Sequence, residues 1–578
     1  MAPCLPSPAG RPPSLACVQS ARDGKNSTDQ KHNGAEALPI LMTQGEVRGG
    51  MTQVQERALV EALQDPRLYD HPVQRFSVVE THISWVLLTG LYAYKIKKPV
   101  DFRFADFSTL KRRQFYCQEE LRLNRRLAPD LYLAVLKITG SAESPRWGGE
   151  GDAVEYAVKM REFSQEALLS EVAARRALAV HHIDELVAVL AAFHVQLPPA
   201  DSATPFGSPD QVHHWARENF THIWPWMREP DAIRDLERLR DWTEQEFAYR
   251  RQQFKSRKDQ GFIRECHGDL HLGNMALFDG RIRLFDCIEF NEHLRWIDVI
   301  SEAAFVIMDL RDRGYPTLSC RFLNRYLQST GDYAGAGVLR YYLVYRALVR
   351  AKVAVLRLAQ GGLTRRQVAD IWQEHHGYVK LALGFSQDKR AALIITYGVS
   401  GSGKSTVAAA LAESLGAIVV RSDVERKRLY GFRPTADTHS ALQGGIYSAE
   451  ATRLTYERLC LSAASAVDSG WPVIVDATFL RRSERDRLRQ LAIGLRLPFC
   501  ILDCTACEGM LQERVSRRAQ EGERISEAGP AVLAEQLRTQ DPLSDDEMGV
   551  CISVDTSRQL APAALAQTIG ERLLGWAH

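Results

Sequence analysis

The distribution of apolar and polar positions divides the chain into two differently patterned regions. From Gln74 to Phe104, β-rich segments separated by the turn Thr89-Gly90 predict strands, and helical periodicity begins at Leu110. From Ala391 onward, wholly apolar strand segments are followed by helical ones, a pattern typical of a parallel sheet with helices. The chain is therefore predicted to be a multi-domain protein in which an α+β region precedes an α/β region.

Two segments follow neither pattern. Residues 1–50 are rich in Pro, Ser, Gly and Ala, and this composition predicts a disordered leader. Because patterned sequence begins at Met51, we expect translation to start at Met42 or Met51. The polar segment 386–390 predicts a linker, which places the two domains at 51–385 and 391–578.

The composition excludes several classes of protein. With 45% hydrophobic and 25% charged residues and a formal net charge of +2, the 578-residue chain is neither disordered overall nor a bulk polyanion binder. Its longest apolar runs have about ten residues, against the roughly 20 that a membrane helix needs, so no membrane span is expected. Eleven cysteines without regular spacing favour a reducing, cytoplasmic compartment.

The strand after Thr89-Gly90 offers two lysines. Because side chains alternate along a strand, Lys95 and Lys97 lie on one face. That face either presents a lysine to a phosphate or is solvated. In the helix that follows, Glu119 or Glu120 is placed to pair with the strand lysine.

The segment His267–Asn274 carries the polar residues that phosphoryl transfer requires. It is a glycine-punctuated loop, and Asp286 ends a second short strand twelve residues after Asn274. A carboxylate must accept the proton of an acceptor hydroxyl, which suits Asp269, and oxygen ligands must hold Mg²⁺, which suits Asn274 and Asp286. A structural turn would explain any one of these residues, but not their order on adjacent loops.

His267–Asn274 with Asp286 resembles the catalytic and metal loops of the aminoglycoside phosphotransferase family, whose pattern is H-G-D-x-H-x-x-N. The resemblance covers roughly residues 60–385 and implies a protein-kinase-like two-lobed fold. It implies that Asp269 is the catalytic base and that Asn274 and Asp286 bind Mg²⁺.

The same resemblance implies roles for neighbouring residues. Lys95 or Lys97 would contact the phosphates of ATP, and Glu120 or Glu119 would pair with that lysine. His267 and His271 would shape the loop, and Asp298 would be a further acidic residue that supports it. Two features depart from the family. No glycine-rich loop precedes the strand lysines, where only Thr81-His82-Ile83-Ser84 stands, and no acidic pocket for a polycationic drug is evident.

The helix from Leu339 to Leu358 carries Arg346 and Arg350 one turn apart. Such a basic stripe either binds an anionic acceptor or, as we expect, lies on a solvated face.

The C-terminal domain begins with a phosphate-binding motif. The strand Ala391–Tyr397 runs into G-x-x-x-x-G-K-S and then into a helix, which is the context that this motif requires. Backbone N–H groups of the loop wrap phosphates, Lys404 reaches the terminal phosphates, and the Ser405 hydroxyl binds Mg²⁺. The predicted nucleotide-binding residues are Gly398, Ser400, Gly401, Ser402, Gly403, Lys404, Ser405 and Thr406.

Two further strands of this domain end in carboxylates. Asp423 and Asp476 follow apolar segments, and parallel strands bring such residues to the same edge of a sheet. We expect Asp476 to order Mg²⁺ and Asp423 to face the acceptor. Arg514 and Arg518 precede the charged segment Glu521 to Glu527, which predicts a lid whose arginines neutralise the transferred phosphoryl group.

This domain resembles small P-loop kinases of the gluconate kinase and zeta-toxin type. Ser422-Asp423 with Arg426, and Val475-Asp476-Ala477-Thr478, carry the resemblance, which makes Asp423 the candidate acceptor base. The two domains together resemble a bacterial family in which an aminoglycoside-phosphotransferase-like module precedes a P-loop kinase or AAA-type ATPase module.

Nucleic acid is not the expected acceptor. Residues 391–578 contain 21 Lys and Arg against 23 Asp and Glu, whereas a surface that follows phosphates is clearly basic. The arginines between Arg481 and Arg489 alternate with Glu484 and Asp486, which predicts a solvated helix face.

The sequence thus predicts a phosphotransferase with two ATP and Mg²⁺ sites that acts on hydroxyl groups of small molecules. Two alternatives are an ATP-binding regulatory protein whose N-terminal module lacks acceptor chemistry and a toxin-like P-loop kinase. The oligomeric state and both acceptors are left open.

Overall fold

The structure, a computed structural model, describes residues 53–101, 105–359, 362–387, 391–434, 436–438, 444–520 and 527–575. The predicted leader and residues 388–390 of the predicted linker lie outside these ranges, and Ser386 and Gln387 end a helix. Among the described helices, none combines the length and the apolar character needed to cross a membrane.

Helices and strands are numbered separately along the chain. The helices are α1 (Gln53–Ala62), α2 (Leu110–Arg125), α3 (Leu169–Ala174), α4 (Val180–Gln196), α5 (Pro209–Ile223), α6 (Pro230–Asp259), α7 (Glu292–Arg295), α8 (Val299–Asp312), α9 (Pro316–Thr330), α10 (Ala336–Leu356), α11 (Arg365–Gln387), α12 (Lys404–Leu415), α13 (Ser422–Leu429), α14 (Ala449–Val467), α15 (Arg482–Gly494), α16 (Glu508–Gln520), α17 (Pro530–Thr539), α18 (Asp545–Met548) and α19 (Pro562–Gly575). The strands are β1 (Ser77–Glu80), β2 (Ser84–Leu88), β3 (Tyr92–Lys97), β4 (Tyr132–Gly140), β5 (Pro145–Trp147), β6 (Glu155–Arg161), β7 (Ile263–Glu265), β8 (Met275–Phe278), β9 (Arg281–Leu284), β10 (Trp296–Asp298), β11 (Ala392–Tyr397), β12 (Ile418–Arg421), β13 (Pro472–Asp476), β14 (Phe499–Thr505) and β15 (Cys551–Asp555).

The described residues form two compact units. The first unit contains the chain up to Leu178, Pro198–Ala200 and Arg264–Ile297. The second unit contains Ala179–Leu197, Asp201–Ile263 and the chain from Asp298 onward. The second unit thus combines helices that precede residue 386 with the sheet that follows residue 391.

An antiparallel sheet with strand order β1-β2-β3-β6-β4-β5 forms the centre of the first unit. One face carries Tyr94 and Ile96, which pack against α1. On the other face Lys95 lies opposite Val158, a residue that packs against Cys117 of α2. The alternation along β3 therefore directs its lysines towards α2, as predicted from the sequence.

A parallel sheet with strand order β12-β13-β11-β14-β15 forms the centre of the part of the second unit that follows residue 391. Its apolar segments are buried on both faces, which explains why they lack alternation. This confirms the predicted α/β fold with a parallel sheet. Cys320 of α9 belongs to the same hydrophobic core as Val407 and Leu411 of α12.

Helix α9 and the residues after it cover the edge strand β12. Asn324 Nδ2 donates to the Ala417 carbonyl (2.9 Å), and Asn324 Oδ1 accepts from the Val419 N–H (2.7 Å). The Tyr333 hydroxyl donates to the Val419 carbonyl (3.4 Å). These side chains therefore satisfy backbone groups that a neighbouring strand would otherwise satisfy.

The expectation that the arginines of α10 and α15 lie on solvated faces was wrong for three residues. Arg346 is buried, donates to the Ser301 carbonyl (3.1 Å) and stacks on an aromatic ring, and Arg350 is buried against Tyr378. Arg485 is buried and forms a bidentate ion pair with Glu547 at 2.6 and 2.9 Å. The spacing of arginines along a helix does not show whether a neighbouring element provides an aromatic ring or a carboxylate as partner for the guanidinium group.

Candidate active sites

Both lysines of β3 contact the same carboxylate of α2. Lys95 Nζ lies 2.8 Å from Glu120 Oε1, and Lys97 Nζ lies 2.6 Å from Glu120 Oε2. Lys95 Nζ also donates to Asp286 Oδ1 at 2.6 Å, whereas Lys97 pairs with Glu289. The predicted lysines, the predicted helix acid and one predicted metal ligand therefore lie together.

The structure distinguishes the two candidate glutamates of α2. Glu119 Oε2 accepts from Arg122 Nη2 at 2.8 Å, and Arg122 also binds Glu265 at 2.7 Å. Glu120 is fully buried and faces both lysines. Successive residues of a helix point in directions about 100° apart, so only one of the pair can face the sheet.

Burial and charge act against each other in this cluster. Burial alone would lower the pKa of Lys95, but the carboxylates of Asp286 and Glu120 hold that pKa well above its ordinary value. Burial would raise the pKa of Glu120, yet the two ammonium groups hold it below its usual value. For Glu289 burial prevails over the attraction of Lys97, and its pKa is raised.

Glu289 is a residue that sequence reasoning missed. It lies three residues after Asp286 in the apolar run Cys287-Ile288-Glu289-Phe290 and is 4% exposed. A lone carboxylate inside an apolar run is a signal of a buried partner, because an unpaired buried charge is costly.

The loop from His267 to Asn274 is held in one conformation. Gly268 has φ +91°, and a Cβ there would lie 2.8 Å from the Leu294 carbonyl oxygen, so only glycine fits. His267 Nε2 donates to the Phe285 carbonyl (2.7 Å), which leaves Nδ1 to accept from the Asp269 N–H (3.4 Å). The resemblance implied that His267 shapes the loop, and these contacts agree with that role.

The candidate base and the candidate metal ligands lie on this loop and on the β8–β9 hairpin beside it. Asn274 Nδ2 donates to Asp269 Oδ2 (3.1 Å) and to its carbonyl oxygen (2.9 Å). The Phe285 N–H donates to the Asn274 carbonyl (3.0 Å), which brings the following Asp286 close to the loop. Asp286 adopts a left-handed φ of +64° and its N–H donates to the Tyr132 hydroxyl (3.2 Å).

The oxygen atoms of this site fit Mg²⁺. Because Nδ2 of Asn274 is bound to Asp269, Oδ1 is the atom that it would offer to a metal. The Asp286 side chain keeps 37% of its surface exposed, so it is accessible to an ion. His271 Nδ1 accepts from the Gly273 N–H (3.1 Å), which places this histidine in the loop framework. Asp298 lies in the second unit, where it pairs with Arg257 at 2.6 Å and caps α8.

Three carbonyl groups of the predicted phosphate-binding loop, residues 398–406, accept hydrogen bonds from protein side chains. Arg514 Nη1 donates to the Gly401 carbonyl (3.1 Å), Thr556 Oγ1 donates to the Ser402 carbonyl (3.0 Å), and Lys404 Nζ donates to the Val399 carbonyl (2.7 Å). Carbonyl groups engaged in this way do not face a bound phosphate, whose partners in such a loop are backbone N–H groups.

Other contacts fix this loop to its surroundings. At Gly401, φ is +86° and a Cβ would lie 2.8 Å from the Leu511 carbonyl oxygen. The Ser400 N–H donates to Gln536 Oε1 of α17 (2.7 Å), a contact that no sequence motif indicated. Gly403 precedes α12, whose first turn contains Lys404, Ser405 and Thr406.

Arg514 was expected in a lid, and the structure places it beneath the loop. Its guanidinium also donates to the Thr556 hydroxyl and carbonyl at 2.9 and 2.7 Å. The side chain of Arg518 and the segment 521–526 lie outside the described residues.

Of the two carboxylates predicted to end strands, only Asp476 does so, because β12 ends at Arg421 and Asp423 belongs to the helix that follows. Asp476 ends β13 and is paired in register with Arg421, whose Nε donates to Asp476 Oδ2 (3.2 Å). Asp423 lies two residues after Arg421, in the first turn of α13. The Gly398 N–H donates to the Thr478 carbonyl (3.2 Å), which joins the end of β13 to the phosphate-binding loop. Arg421 was not predicted, although a basic residue directly before Ser422-Asp423 was a visible signal.

Comparison with known proteins gives matches in both regions. Residues 110–342 match the family described as "Phosphotransferase enzyme family", and residues 393–543 match the family described as "AAA domain". Two mycobacterial relatives, "Uncharacterized protein Rv2004c" of Mycobacterium tuberculosis and "Uncharacterized protein Mb2027c" of Mycobacterium bovis, are each 31% identical over 456 residues. The alignment covers 78% of this chain and 88% of each relative.

Solved structures also match parts of the chain. A gluconokinase from Sinorhizobium meliloti 1021 is 26% identical and covers 33% of this chain and 93% of its own, with a TM-score of 0.22. A choline/ethanolamine kinase family protein from Mesorhizobium loti is 12% identical and covers 57% of this chain and 98% of its own, with a TM-score of 0.35. TM-scores this low support no inference about the present chain.

The family matches agree with the two folds, and the resemblance stated from the sequence is confirmed. A kinase-like phosphotransferase region precedes a P-loop kinase-like region with a five-stranded parallel sheet. The chain belongs to the same protein family as the two mycobacterial relatives, with a phosphotransferase module followed by an AAA-type P-loop module.

Proposed function

We propose that the protein is an ATP-dependent phosphotransferase with two ATP and Mg²⁺ sites, one in residues 51–385 and one in residues 391–578. Each site transfers the γ-phosphoryl group to a hydroxyl of a small molecule. The observation that carries the proposal is the joint placement of Lys95, Glu120 and Asp286, beside a loop in which Asp269 is hydrogen-bonded to Asn274.

In the first site, Asp269 accepts the proton of the acceptor hydroxyl. The hydroxyl oxygen bonds to the γ-phosphorus while the bond to the β–γ bridging oxygen breaks, and ADP leaves. Lys95 exchanges its contact with Asp286 for the phosphates of ATP, and Glu120 keeps the lysine in place. Asn274 and Asp286 would hold Mg²⁺, which would supply positive charge at the phosphates when bound.

In the second site, the loop from Gly398 to Thr406 holds the phosphates through backbone N–H groups. Lys404 contacts the terminal phosphates, and Ser405 with Asp476 holds Mg²⁺. Asp423 serves as the base for the acceptor hydroxyl. In this arrangement Arg514 contributes by holding the loop, because its donors are engaged with Gly401 and Thr556.

We further propose a small hydroxylated acceptor and a cytoplasmic location. The near balance of charge after residue 391 argues against nucleic acid as acceptor. The nine described cysteines are all free thiols, as expected of a reducing compartment.

The test measures phosphoryl transfer from ATP by the full chain, with panels of sugars, aminoglycosides and amino alcohols followed by mass spectrometry. Asp269→Asn should lower transfer at the first site about 1,000-fold, because the base is lost while the shape is kept. Lys404→Met should lower transfer at the second site about 100-fold or more. The matched controls are the exposed residues Asp241 and Lys380, as Asp241→Asn and Lys380→Met.

The outcomes separate the alternatives. If Asp269→Asn leaves all transfer intact while Lys404→Met abolishes it, the N-terminal module is regulatory and the two-kinase proposal is wrong. If neither acceptor panel is phosphorylated but expression arrests growth and Asp423→Ala relieves the arrest, the toxin-like kinase is the correct function.

A further inference from the structure

The first site contains a second buried lysine that the chemistry described above does not use. Lys97 is 2% exposed, and it contacts Glu120 Oε2 at 2.6 Å and pairs with Glu289. Phosphoryl transfer at this site requires one lysine on the phosphates, and Lys95 fills that role because it also contacts Asp286. The presence of Lys97 in so costly an environment therefore calls for a function of its own.

The carboxylate of Glu120 is held at both of its oxygens. Oε1 faces Lys95 at 2.8 Å and Oε2 faces Lys97 at 2.6 Å. A carboxylate at the end of a side chain with three rotatable bonds rotates unless each oxygen has a partner. Lys97 thus fixes the orientation in which Oε1 points at Lys95.

Glu289 in turn fixes Lys97. Its side chain is 4% exposed and comes from the segment that also carries Asp286. Asp286 and Glu289 therefore each bind one lysine of β3, Asp286 at an accessible position and Glu289 at a buried one. When Lys95 leaves Asp286 for a phosphate, the contact of Glu289 with Lys97 still joins this segment to β3.

We propose that Glu289 and Lys97 are positioning residues that orient Glu120 and thereby present Lys95 to the phosphates of ATP. The proposal rests on the proposed function of the first site, in which Lys95 is the phosphate-binding lysine. The order of contacts is Glu289 to Lys97, Lys97 to Glu120, and Glu120 to Lys95.

The test separates positioning from simple stabilisation. Replacing both members of a buried ion pair by apolar residues of similar size is often neutral for folding, whereas removing one member is strongly destabilising. The full chain carrying Lys404→Met, which silences the second site, is compared with the same chain carrying Lys97→Met and Glu289→Leu as well. Thermal unfolding and the dissociation constant for ATP with Mg²⁺ are measured for both.

We expect the double replacement to unfold near the temperature of its parent and to bind ATP about 10-fold more weakly, because Glu120 loses the partner that orients it. The matched control is another buried ion pair of this unit, Arg113 with Glu155 at 2.8 Å. Replacing it by Arg113→Met and Glu155→Leu should leave ATP affinity within about twofold of the parent.

A double replacement that binds ATP as tightly as its parent would overturn the proposal and leave the pair a structural one. Should that variant fail to fold, Glu289→Gln keeps the shape and removes the charge. Unchanged ATP affinity in Glu289→Gln would then overturn the proposal, and a loss of several-fold would support it. If the Lys404→Met parent itself binds no ATP, the proposed function of the first site fails instead.

Discussion

The two sites hold their lysines in different ways. Lys95 lies between the carboxylates of Glu120 and Asp286, both within 2.8 Å, whereas Lys404 donates to the uncharged carbonyl oxygen of Val399. A carbonyl contact positions an ammonium group without cancelling its charge. In the first site, by contrast, an incoming phosphate must compete with a carboxylate. The lysine of the first site is held by ion pairs with carboxylates, and the lysine of the second site is held by a hydrogen bond to the backbone.

The comparison predicts that losing Lys404 weakens ATP binding more than losing Lys95. Lys404→Met should weaken binding at its site about 100-fold. Lys95→Met should weaken binding only about 10-fold, because Lys95 must give up a carboxylate contact to bind a phosphate, and this cost offsets part of the free energy of the phosphate contact. Photolabelling with azido-ATP followed by peptide mapping reports each site separately in the full chain. Equal losses at the two sites would contradict the distinction, and Lys380→Met should change neither.

For the free energy of unfolding the order of the two lysines is reversed, and Lys95 contributes more than Lys404. Lys95→Met should lower the free energy of unfolding by about 3 kcal/mol, because the fully buried carboxylate of Glu120 loses one of its two charged partners. Lys404→Met should cost about 1 kcal/mol, the typical value of a hydrogen bond such as the one to the Val399 carbonyl. Urea denaturation monitored by hydrogen exchange in β3 and in α12 measures the two losses. A larger loss in α12 than in β3 would show that the ion pairs are not what supports the first site.

Removing one neutral side chain tests the second site's dependence on backbone hydrogen bonds. Asn324→Leu should cost about 2 kcal/mol, since the Ala417 carbonyl and the Val419 N–H lose their partner. Hydrogen exchange in β12 should accelerate, while exchange in the central strand β11 serves as the internal control. Equal acceleration in both strands would mean that the helix stabilises the whole sheet and not its edge.

Acid should weaken the cluster of charges in the first site. The pKa of Glu120 is lower in the folded protein than in the unfolded chain. At a pH below the ordinary pKa of a glutamate, this group is therefore protonated more in the unfolded chain than in the folded protein. The stability that Glu120 contributes is present above about pH 4.5 and is lost as the pH falls below it. The free energy of unfolding, measured by hydrogen exchange in β3, should therefore fall on acidification. Glu120→Gln should reduce this fall by on the order of 1 kcal/mol, and the control Glu61→Gln, at an exposed residue, should not change it.

The chain's motifs predicted much of the site, because their chemistry depends on local spacing. The strand before Gly398 and the helix after Lys404 are fixed by neighbouring residues, and the same is true of the loop from His267 to Asn274. Alternation along β3 likewise predicted that Lys95 and Lys97 share a face. Local spacing left the choice between Glu119 and Glu120 open, because that choice depends on which side of α2 packs on the sheet.

Contacts between distant parts of the chain were beyond sequence reasoning. Glu289 meets Lys97 across 192 positions, and Arg485 meets Glu547 across 62. No periodic pattern in the sequence indicates either pair, because each partner is a single charged residue without a repeating set of charged positions around it. The burial of Arg346 and Arg350 was missed for the same reason, since the carbonyl and rings that receive them come from other helices.

The contact between Asn324 and β12 bears on how this chain is divided experimentally. A fragment that begins at residue 388 retains the parallel sheet but lacks α9, and its outermost strand then offers unpaired amides and carbonyls to any other extended chain. Such an edge promotes self-association of the fragment, so turbidity or precipitation would reflect where the chain was cut. Domain boundaries drawn from sequence motifs alone would thus yield an aggregating product, and expression of the whole chain avoids this.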